Sequence, residues 1–284
     1  MGQPLPEQAA ATDAEPFLKW AGGKRLLLPT ILPKLPPIGH TARYFEPFLG
    51  GGAIFFALQP ARASLSDVNA QLVQTYRAIR NNLDEVIDVL SSLKNTREDY
   101  YRIRKWQPRT PARLAARFIY LNKTCFNGLY RENLAGEFNV PYGCHRYETI
   151  VCDIDQLTAA SEALATASLR TSDFVTAISS AVEGDLVYFD PPYITSHQNN
   201  GFVEYNARVF SWSDQHRLFS AARRLVNRGV NVVISNGDHA SIRNLYANDP
   251  VFRIYTLTRQ STMASRASQR FLTSELLIVS TGLN

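Results

Sequence analysis

Asp190-Pro191-Pro192-Tyr193 stands directly after the apolar run Leu186 to Phe189. Proline cannot donate to a strand ladder, so the two prolines end the strand and stiffen the loop that follows. That loop presents a carboxylate, the carbonyl of Pro191 and an aromatic face. An exocyclic amine on a nucleobase is a weak nucleophile because its lone pair is delocalised into the ring. Acceptors on its two hydrogens pull the nitrogen towards tetrahedral geometry and free the lone pair for in-line attack on a sulfonium methyl. Asp190 and the Pro191 carbonyl are acceptors of that kind, and Tyr193 can stack on the base. Standing alone, the same residues also read as a plain strand-ending turn.

Two more segments carry chemical signals. In Tyr44-Phe45-Glu46-Pro47-Phe48-Leu49-Gly50-Gly51-Gly52 a strand ends in glycines and a helix begins. Glycine there permits close approach of a ligand to the backbone, and a helix N-terminus offers free N–H groups. A dinucleotide fingerprint needs a third glycine where Phe55 stands, so pyrophosphate binding is disfavoured. Seventeen residues after Gly50, Asp67 ends a second strand within Ser66-Asp67-Val68-Asn69, the position at which an acid grips a ribose diol. The pair implies a nucleoside ligand without a diphosphate, such as S-adenosylmethionine. Phe17-Leu18-Lys19-Trp20-Ala21-Gly22-Gly23-Lys24 contains the tripeptide of a P-loop. Such a loop needs glycine where Leu18 stands and Ser or Thr where Arg25 stands, so that reading is rejected. A buried Trp in a tight turn is the plain alternative.

These residues need a scaffold that brings strand ends together. Strand patterns fall at 42–47, 63–66, 168–170, 185–190, 230–235, 251–257 and 271–280, with helices between most of them. Such alternation predicts an α/β fold with a mostly parallel sheet and helices on both faces. The helix that follows Asp67 carries Leu72, Val73, Tyr76 and Ile79 on one face. Residues 82–150 break the rhythm, with helical patterns at 97–106 and 111–121 and then a loop rich in Asn, Gly and Pro. They are expected to form an inserted, mainly helical second domain. The catalytic domain is then 16–81 with 151–284, and 1–15 is a disordered tail.

Composition narrows the partner. The chain has 284 residues, 45% of them apolar and 19% charged, enough for a packed core without staples. The formal net charge is +5. Residues 94–149 hold 11 basic and five acidic side chains, a net of +6, and the rest of the chain carries −1. Aromatics interleave with those basic groups (Tyr100, Tyr101, Trp106, Phe118, Tyr120, Phe126), as in grooves that combine phosphate attraction with base stacking. A solvated helix face with a local charge bias is the alternative. No run approaches a membrane span, and the first residues lack the pattern of a secretory signal. Three cysteines without paired spacing argue against a disulfide framework, and Cys144 beside His145 is a poor zinc site. The expectations are a cytoplasmic chain, monomeric in solution, with no metal and no membrane.

The motifs FLKWAGGK, YFEPFLGGG, SDVN, Ser172-Asp173-Phe174 and DPPY resemble, in order, those of the Dam-type (D12 class) DNA adenine N6-methyltransferases. The segments Asn122-Lys123-Thr124-Cys125-Phe126-Asn127-Gly128-Leu129-Tyr130-Arg131 and Phe138-Asn139-Val140-Pro141-Tyr142-Gly143 strengthen that likeness. The resemblance implies a Rossmann-like methyltransferase sheet and the donor S-adenosylmethionine, released as S-adenosylhomocysteine. It implies that Trp20, Lys24, Glu46, Phe48 and Gly50 line the donor pocket and that Asp67 takes the ribose hydroxyls. Asp173 and Phe174 would address the donor's adenine, while Asp190, Pro191, Pro192 and Tyr193 hold the target adenine. The insert becomes a target-recognition domain for double-stranded DNA. Its hairpin would wedge Phe126 into the stack, read a guanine with Arg131 and contact a thymine methyl with Leu129 and Pro141. Lys19 would touch the first guanine, Asn122 and Asn127 would join the DNA surface, and Arg259 and Arg266 would clamp phosphates. GATC-like recognition follows from the same likeness. Methylation of cytosine N4, RNA adenine or protein glutamine are the enzymatic rivals. Asp at 190 favours adenine, since Ser or Asn usually opens the motif in the other classes. A DNA-binding regulator that has lost catalysis is the rival from a different class.

Overall fold

The computed structural model describes residues 14–39, 42–133, 136–143, 149–193, 210–260 and 272–281. Its strands are β1 (Tyr44–Glu46), β2 (Ala63–Asp67), β3 (Ser168–Thr171), β4 (Leu186–Phe189), β5 (Asn231–Gly237), β6 (Phe252–Gln260) and β7 (Leu272–Ser280). They form one seven-stranded sheet in the order β3-β2-β1-β4-β5-β7-β6. The first five strands pair in parallel, whereas β7 runs antiparallel to both β5 and β6. The mostly parallel α/β sheet expected from the alternating pattern is present, closed on one edge by an antiparallel pair.

Every residue of β1 and β4 is buried, as continuous apolar runs require when helices cover both faces of a sheet. One apolar cluster contains Tyr44, Leu65, Tyr76 and Leu186; the other contains Phe45, Val187, Phe189 and Leu218. Alternation along β1 thus sends neighbouring side chains to opposite faces. Strand order reverses at β1, which has β2 on one side and β4 on the other, so a crevice opens beyond their carboxyl ends.

Helix Ala70–Asn81 starts at Asn69, whose side chain accepts from the Leu72 amide at 3.0 Å. Its expected face, Leu72, Val73, Tyr76 and Ile79, is buried. Helices Leu83–Ser91, Arg97–Lys105 and Pro111–Thr124 follow. The last begins with Thr110 as cap and Pro111 in its first turn, and it runs three residues beyond the expected end at 121. The apolar cluster that starts under the sheet continues through Ile103, Ile119 and Val140.

Much of the aromatic interleaving in 94–149 is core packing rather than a stacking platform. Tyr100, Phe118 and Tyr120 are buried, and the Tyr100 hydroxyl donates to the Val140 carbonyl at 2.8 Å. Some basic groups are internal as well. Arg117 donates to the carbonyls of Ile103 and Arg104, and buried Lys123 donates to Gln156. Period-3.6 spacing alone does not separate an aromatic that fills a helix interface from one that faces DNA.

Of the tail expected at 1–15, residues 1–13 lie outside the described residues. Ala14 is buried and Glu15 pairs with Arg25, so these two residues of the expected tail pack on the rest of the chain. Cys144, His145 and Arg266 also lie outside the described residues, and of Arg259 only the backbone, in β6 opposite Thr273, is described.

Candidate active site

Four acidic residues converge on the crevice because each ends or follows a neighbouring strand: Glu46 on β1, Asp67 on β2, Asp173 after β3 and Asp190 after β4. Asp190 is held by Lys24, whose ammonium lies 2.9 Å from Oδ1. The same nitrogen donates to the Gly22 carbonyl at 2.7 Å, lies 3.6 Å from Glu275 Oε2 and sits 4.6 Å above the centre of the Tyr193 ring. Burial pushes the Asp190 carboxyl above the ordinary carboxylate range, and the Lys24 ammonium pulls it back.

The Tyr193 hydroxyl donates to Glu275 Oε2 at 2.8 Å and lies 3.1 Å from the Ser235 hydroxyl. Burial, with Asp190 and Glu275 nearby, keeps the phenol protonated well above its usual range. Tyr193 is therefore anchored at its rim, with Lys24 over its ring. Glu275 and Ser235 were missing from the residues expected at the site. Glu275 did carry a signal, as a lone carboxylate in the otherwise uncharged run Phe271 to Ser280, and it is 3% exposed in β7. Ser235 carried none, because a serine near a strand end is unremarked by any pattern.

Glu46 accepts from the Tyr44 hydroxyl at 2.8 Å and from the Phe55 amide at 3.2 Å. Burial pushes its carboxyl up to about 8, so Glu46 is mainly protonated at neutral pH. Asp67 accepts from the Gly50 amide at 3.1 Å and from the Asn69 amide at 2.9 Å, while burial raises its carboxyl from the ordinary value. Gly50 adopts φ +47°, and a Cβ there would lie 2.7 Å from Trp20 Cδ1. Only glycine fits between the indole and the start of helix Ala53–Leu58. The Trp20 ring stacks on Tyr130 and Phe118, at 5.8 and 6.5 Å between centres. The turn that presents Lys24 is thereby fastened to the segment that carries the hairpin.

Phe48 stacks on Phe174 at 5.3 Å and meets the edge of Phe210 at 5.5 Å. Phe174 is 3% exposed, so it supports Phe48 from behind rather than offering an open ring face. Asp173 accepts from the Val175 amide at 2.9 Å and from Arg217.

The hairpin residues also converge, with one exception. Phe126 is 49% exposed at the tip, where its amide donates to the Pro141 carbonyl at 2.9 Å. Asn127, Arg131 and Pro141 are exposed, Leu129 is half-buried, and Arg131 Nε donates to Asn139 Oδ1 at 2.8 Å. Asn122, expected at the DNA surface, is 2% exposed. Its Oδ1 accepts from the Lys19 amide at 2.8 Å, and its Nδ2 donates to the carbonyls of Lys19 and Gly128 at 2.7 and 3.3 Å. Both amide hydrogens are spent on the chain, so Asn122 fastens the Lys19 turn to the hairpin and is corrected from a DNA contact to a support. Among the described residues no cluster of three or more His, Cys, Asp or Glu side chains could hold a metal ion, and no helix is long and apolar enough to cross a membrane.

Similarity to known proteins identifies the family. Residues 20–263 match the D12 class N6 adenine-specific DNA methyltransferase family. The chain is 36% identical over 277 residues to the type II methyltransferase M1.LlaDCHI of Lactococcus lactis subsp. cremoris, covering 94% of this chain and 95% of that one. It is 33% identical over 267 residues to the DNA adenine methylase of Escherichia coli (strain K12), covering 92% and 93%. The DNA N-6-adenine-methyltransferase of Escherichia phage P1 is 34% identical over 274 residues, which span 94% of this chain and 36% of the phage protein. With most of its length matched and the acidic crevice in place, the chain belongs to the D12 class of N6 adenine-specific DNA methyltransferases, enzymes that act on DNA with a methyl donor.

Proposed function

We propose that this enzyme transfers a methyl group from S-adenosylmethionine to N6 of an adenine swung out of duplex DNA, within GATC. The observation that carries the reading is the convergence of Asp190 and Tyr193 with the Gly50–Asp67 cradle on one crevice, beside a hairpin that exposes Phe126 and Arg131. The donor fits that cradle. Asp67 offers a carboxylate for a ribose diol, the Gly50 amide fixes one oxygen of that carboxylate, and Phe48 offers a half-buried aromatic ring stacked on Phe174, the neighbour of Asp173. S-adenosylmethionine supplies an electrophilic methyl on a sulfonium, with S-adenosylhomocysteine as the leaving product.

The remaining work falls to the chain. Extracting a base costs a few kcal/mol. Stacking on an aromatic returns about 1–3 kcal/mol per base, a role that suits Tyr193 because its hydroxyl is fixed by Glu275 and Ser235. Phe126 fills the gap left in the duplex. Asp190 accepts one hydrogen of the N6 amine and the Pro191 carbonyl the other, which localises the lone pair on nitrogen. Holding nitrogen, methyl and sulfur in line can supply about 7–11 kcal/mol of the barrier. The methylated ammonium is strongly acidic, and its proton leaves to Asp190 or water. Arg131 suits a guanine edge because Asn139 holds Nε and leaves the terminal nitrogens to read O6 and N7. Leu129 and Pro141 would meet a thymine methyl, and Lys19 the first guanine.

In this reading residues 82–150 are the target-recognition part, 16–81 and 151–284 form the catalytic part, and the enzyme works as a monomer in the cytoplasm of a bacterial or phage-infected cell. Tritiated methyl incorporation into three duplexes tests it: one with unmethylated GATC, one with the site scrambled, one fully methylated at N6. Label in the first alone supports the reading. Equal label in all three rejects GATC specificity, and label in none rejects the reaction.

A further inference from the structure

The guanidinium of Arg217 bridges two parts of the molecule that no motif connects. It lies in the second turn of helix Trp212–Val226, far from Asp173 in sequence. Its Nη1 is 2.7 Å from Asp214 Oδ1, its Nη2 is 3.1 Å from each carboxylate oxygen of Asp173, and its carbon lies 4.9 Å above the centre of the Phe174 ring. The group is thus held by two carboxylates and one aromatic face. Asp214 is itself fixed, since its side chain accepts from the Ser211 amide at 2.9 Å and completes a capping box with Ser211. A chain of contacts therefore runs from Ser211 through Asp214 and Arg217 to Asp173.

At the far end of that chain the two oxygens of Asp173 are not equivalent. Oδ1 accepts from the Val175 amide at 2.9 Å as well as from Arg217, whereas Oδ2 has Arg217 alone among the described residues. The Asp173 side chain is 42% exposed, so the lone pairs of Oδ2 not taken by Arg217 are open to a ligand, next to Phe174 on which Phe48 stacks. A carboxylate at the end of a free rotor would sample many orientations. One pinned by a backbone N–H and a two-oxygen contact to a guanidinium presents a single acceptor direction.

We propose that Arg217 is a positioning residue that sets the donor's purine specificity, by holding Asp173 so that Oδ2 receives the exocyclic 6-amine of that purine. The inference rests on the S-adenosylmethionine reading above and deepens it. Arg217 does not touch the reacting atoms and acts through Asp173. A donor with hydrogen in place of the 6-amine has nothing to give Oδ2 and gains nothing from the arrangement.

The test uses equilibrium binding of the full chain to S-adenosylhomocysteine and to its analogue bearing hydrogen at purine position 6, with wild type, Arg217→Ala and Arg217→Lys. A hydrogen bond to a charged acceptor is worth about tenfold or more in affinity, so wild type favours the amine-bearing compound by about that factor. Arg217→Ala brings the two compounds to within about twofold of each other by weakening the amine-bearing one alone, and Arg217→Lys, which keeps the charge but not the two-oxygen contact, restores part of the preference. A structural role would weaken both compounds equally, and that result overturns the proposal. So does an Arg217→Ala variant that discriminates as wild type does, or one that binds the amine-bearing compound more tightly. If wild type binds neither compound, the donor reading itself fails.

Discussion

Removing Lys24 while keeping its volume is the sharpest perturbation of the crevice. In Lys24→Met the stem survives and the ammonium is lost, together with its 2.9 Å contact to Asp190, its 3.6 Å contact to Glu275 and its bond to the Gly22 carbonyl. Two carboxylates, Asp190 and Glu275, then share a buried site without the Lys24 ammonium. Breaking a buried ion pair from one side costs about 3–5 kcal/mol. The lower end applies here, about 3 kcal/mol, because the Asp190 side chain retains 21% exposure and can draw on solvent. The sign of the pH dependence follows from the same contacts. Lys24 lowers the Asp190 carboxyl that burial raises. Without Lys24 that carboxyl rises further, so the folded variant binds a proton that the unfolded chain has released. Stability of the variant therefore falls as pH rises above the ordinary carboxylate range, and its deficit against wild type is larger at neutral pH than at a pH within that range. Urea unfolding at both pH values measures this. The double variant Lys24→Met with Asp190→Asn removes charge from both partners and should recover more than half of the loss. A deficit below about 1 kcal/mol at the higher pH, or one that does not change with pH, refutes the reasoning.

Glu46 makes a second pH-dependent contribution. Its carboxyl, raised to about 8 by burial, holds a proton in the folded state that the unfolded chain loses near its ordinary value of 4.5. Stability declines as pH climbs through that window, with a slope of at most about 1.4 kcal/mol per pH unit. Glu46→Gln keeps the shape and should flatten this slope in denaturation curves; an unchanged slope would place the proton elsewhere. Gly50→Ala forces a Cβ into left-handed backbone 2.7 Å from the Trp20 ring and should cost about 1–3 kcal/mol. The part due to collision disappears in a Trp20→Ala background, as unfolding of the four variants in a cycle would show. Phe126→Ala should lower the fluorescence gain of 2-aminopurine at the target position and reduce kcat/KM on duplex DNA about tenfold or more, with donor affinity measured in parallel and unmoved.

Sequence patterns located the strands well, because buried parallel strands are uninterrupted apolar runs and the acids at their ends stand out against them. Asp67 and Asp190 were visible for that reason. What was not visible arises from packing across distant segments. Glu275 and Ser235 reach Tyr193 only because β7 returns antiparallel beside β5. Arg217 meets Asp173 only because the second turn of helix Trp212–Val226 is folded against the residue that follows the end of β3, and one arginine among several in that helix had no distinguishing spacing. The aromatic residues of 94–149 were misleading for the converse reason. Residue type told that Tyr100 and Tyr120 are aromatic, but helix-on-helix packing decided that they are core. Asn122 shows the same limit. It sits in a motif that the family resemblance sets against DNA, and its own amide is consumed in joining Lys19 to Gly128.

The central claim is that Asp190, at the end of β4, holds the amine that receives the methyl group. Its most direct test measures N6-methyladenine formed in a GATC duplex by wild type and by Asp190→Ala, with retention of the same duplex followed in parallel. Lys24 keeps Glu275 as a partner at 3.6 Å, so the variant has a neutralising group and should fold. The account predicts that wild type forms N6-methyladenine, while Asp190→Ala forms none and still retains the DNA. Turnover by Asp190→Ala near the wild-type rate would contradict it.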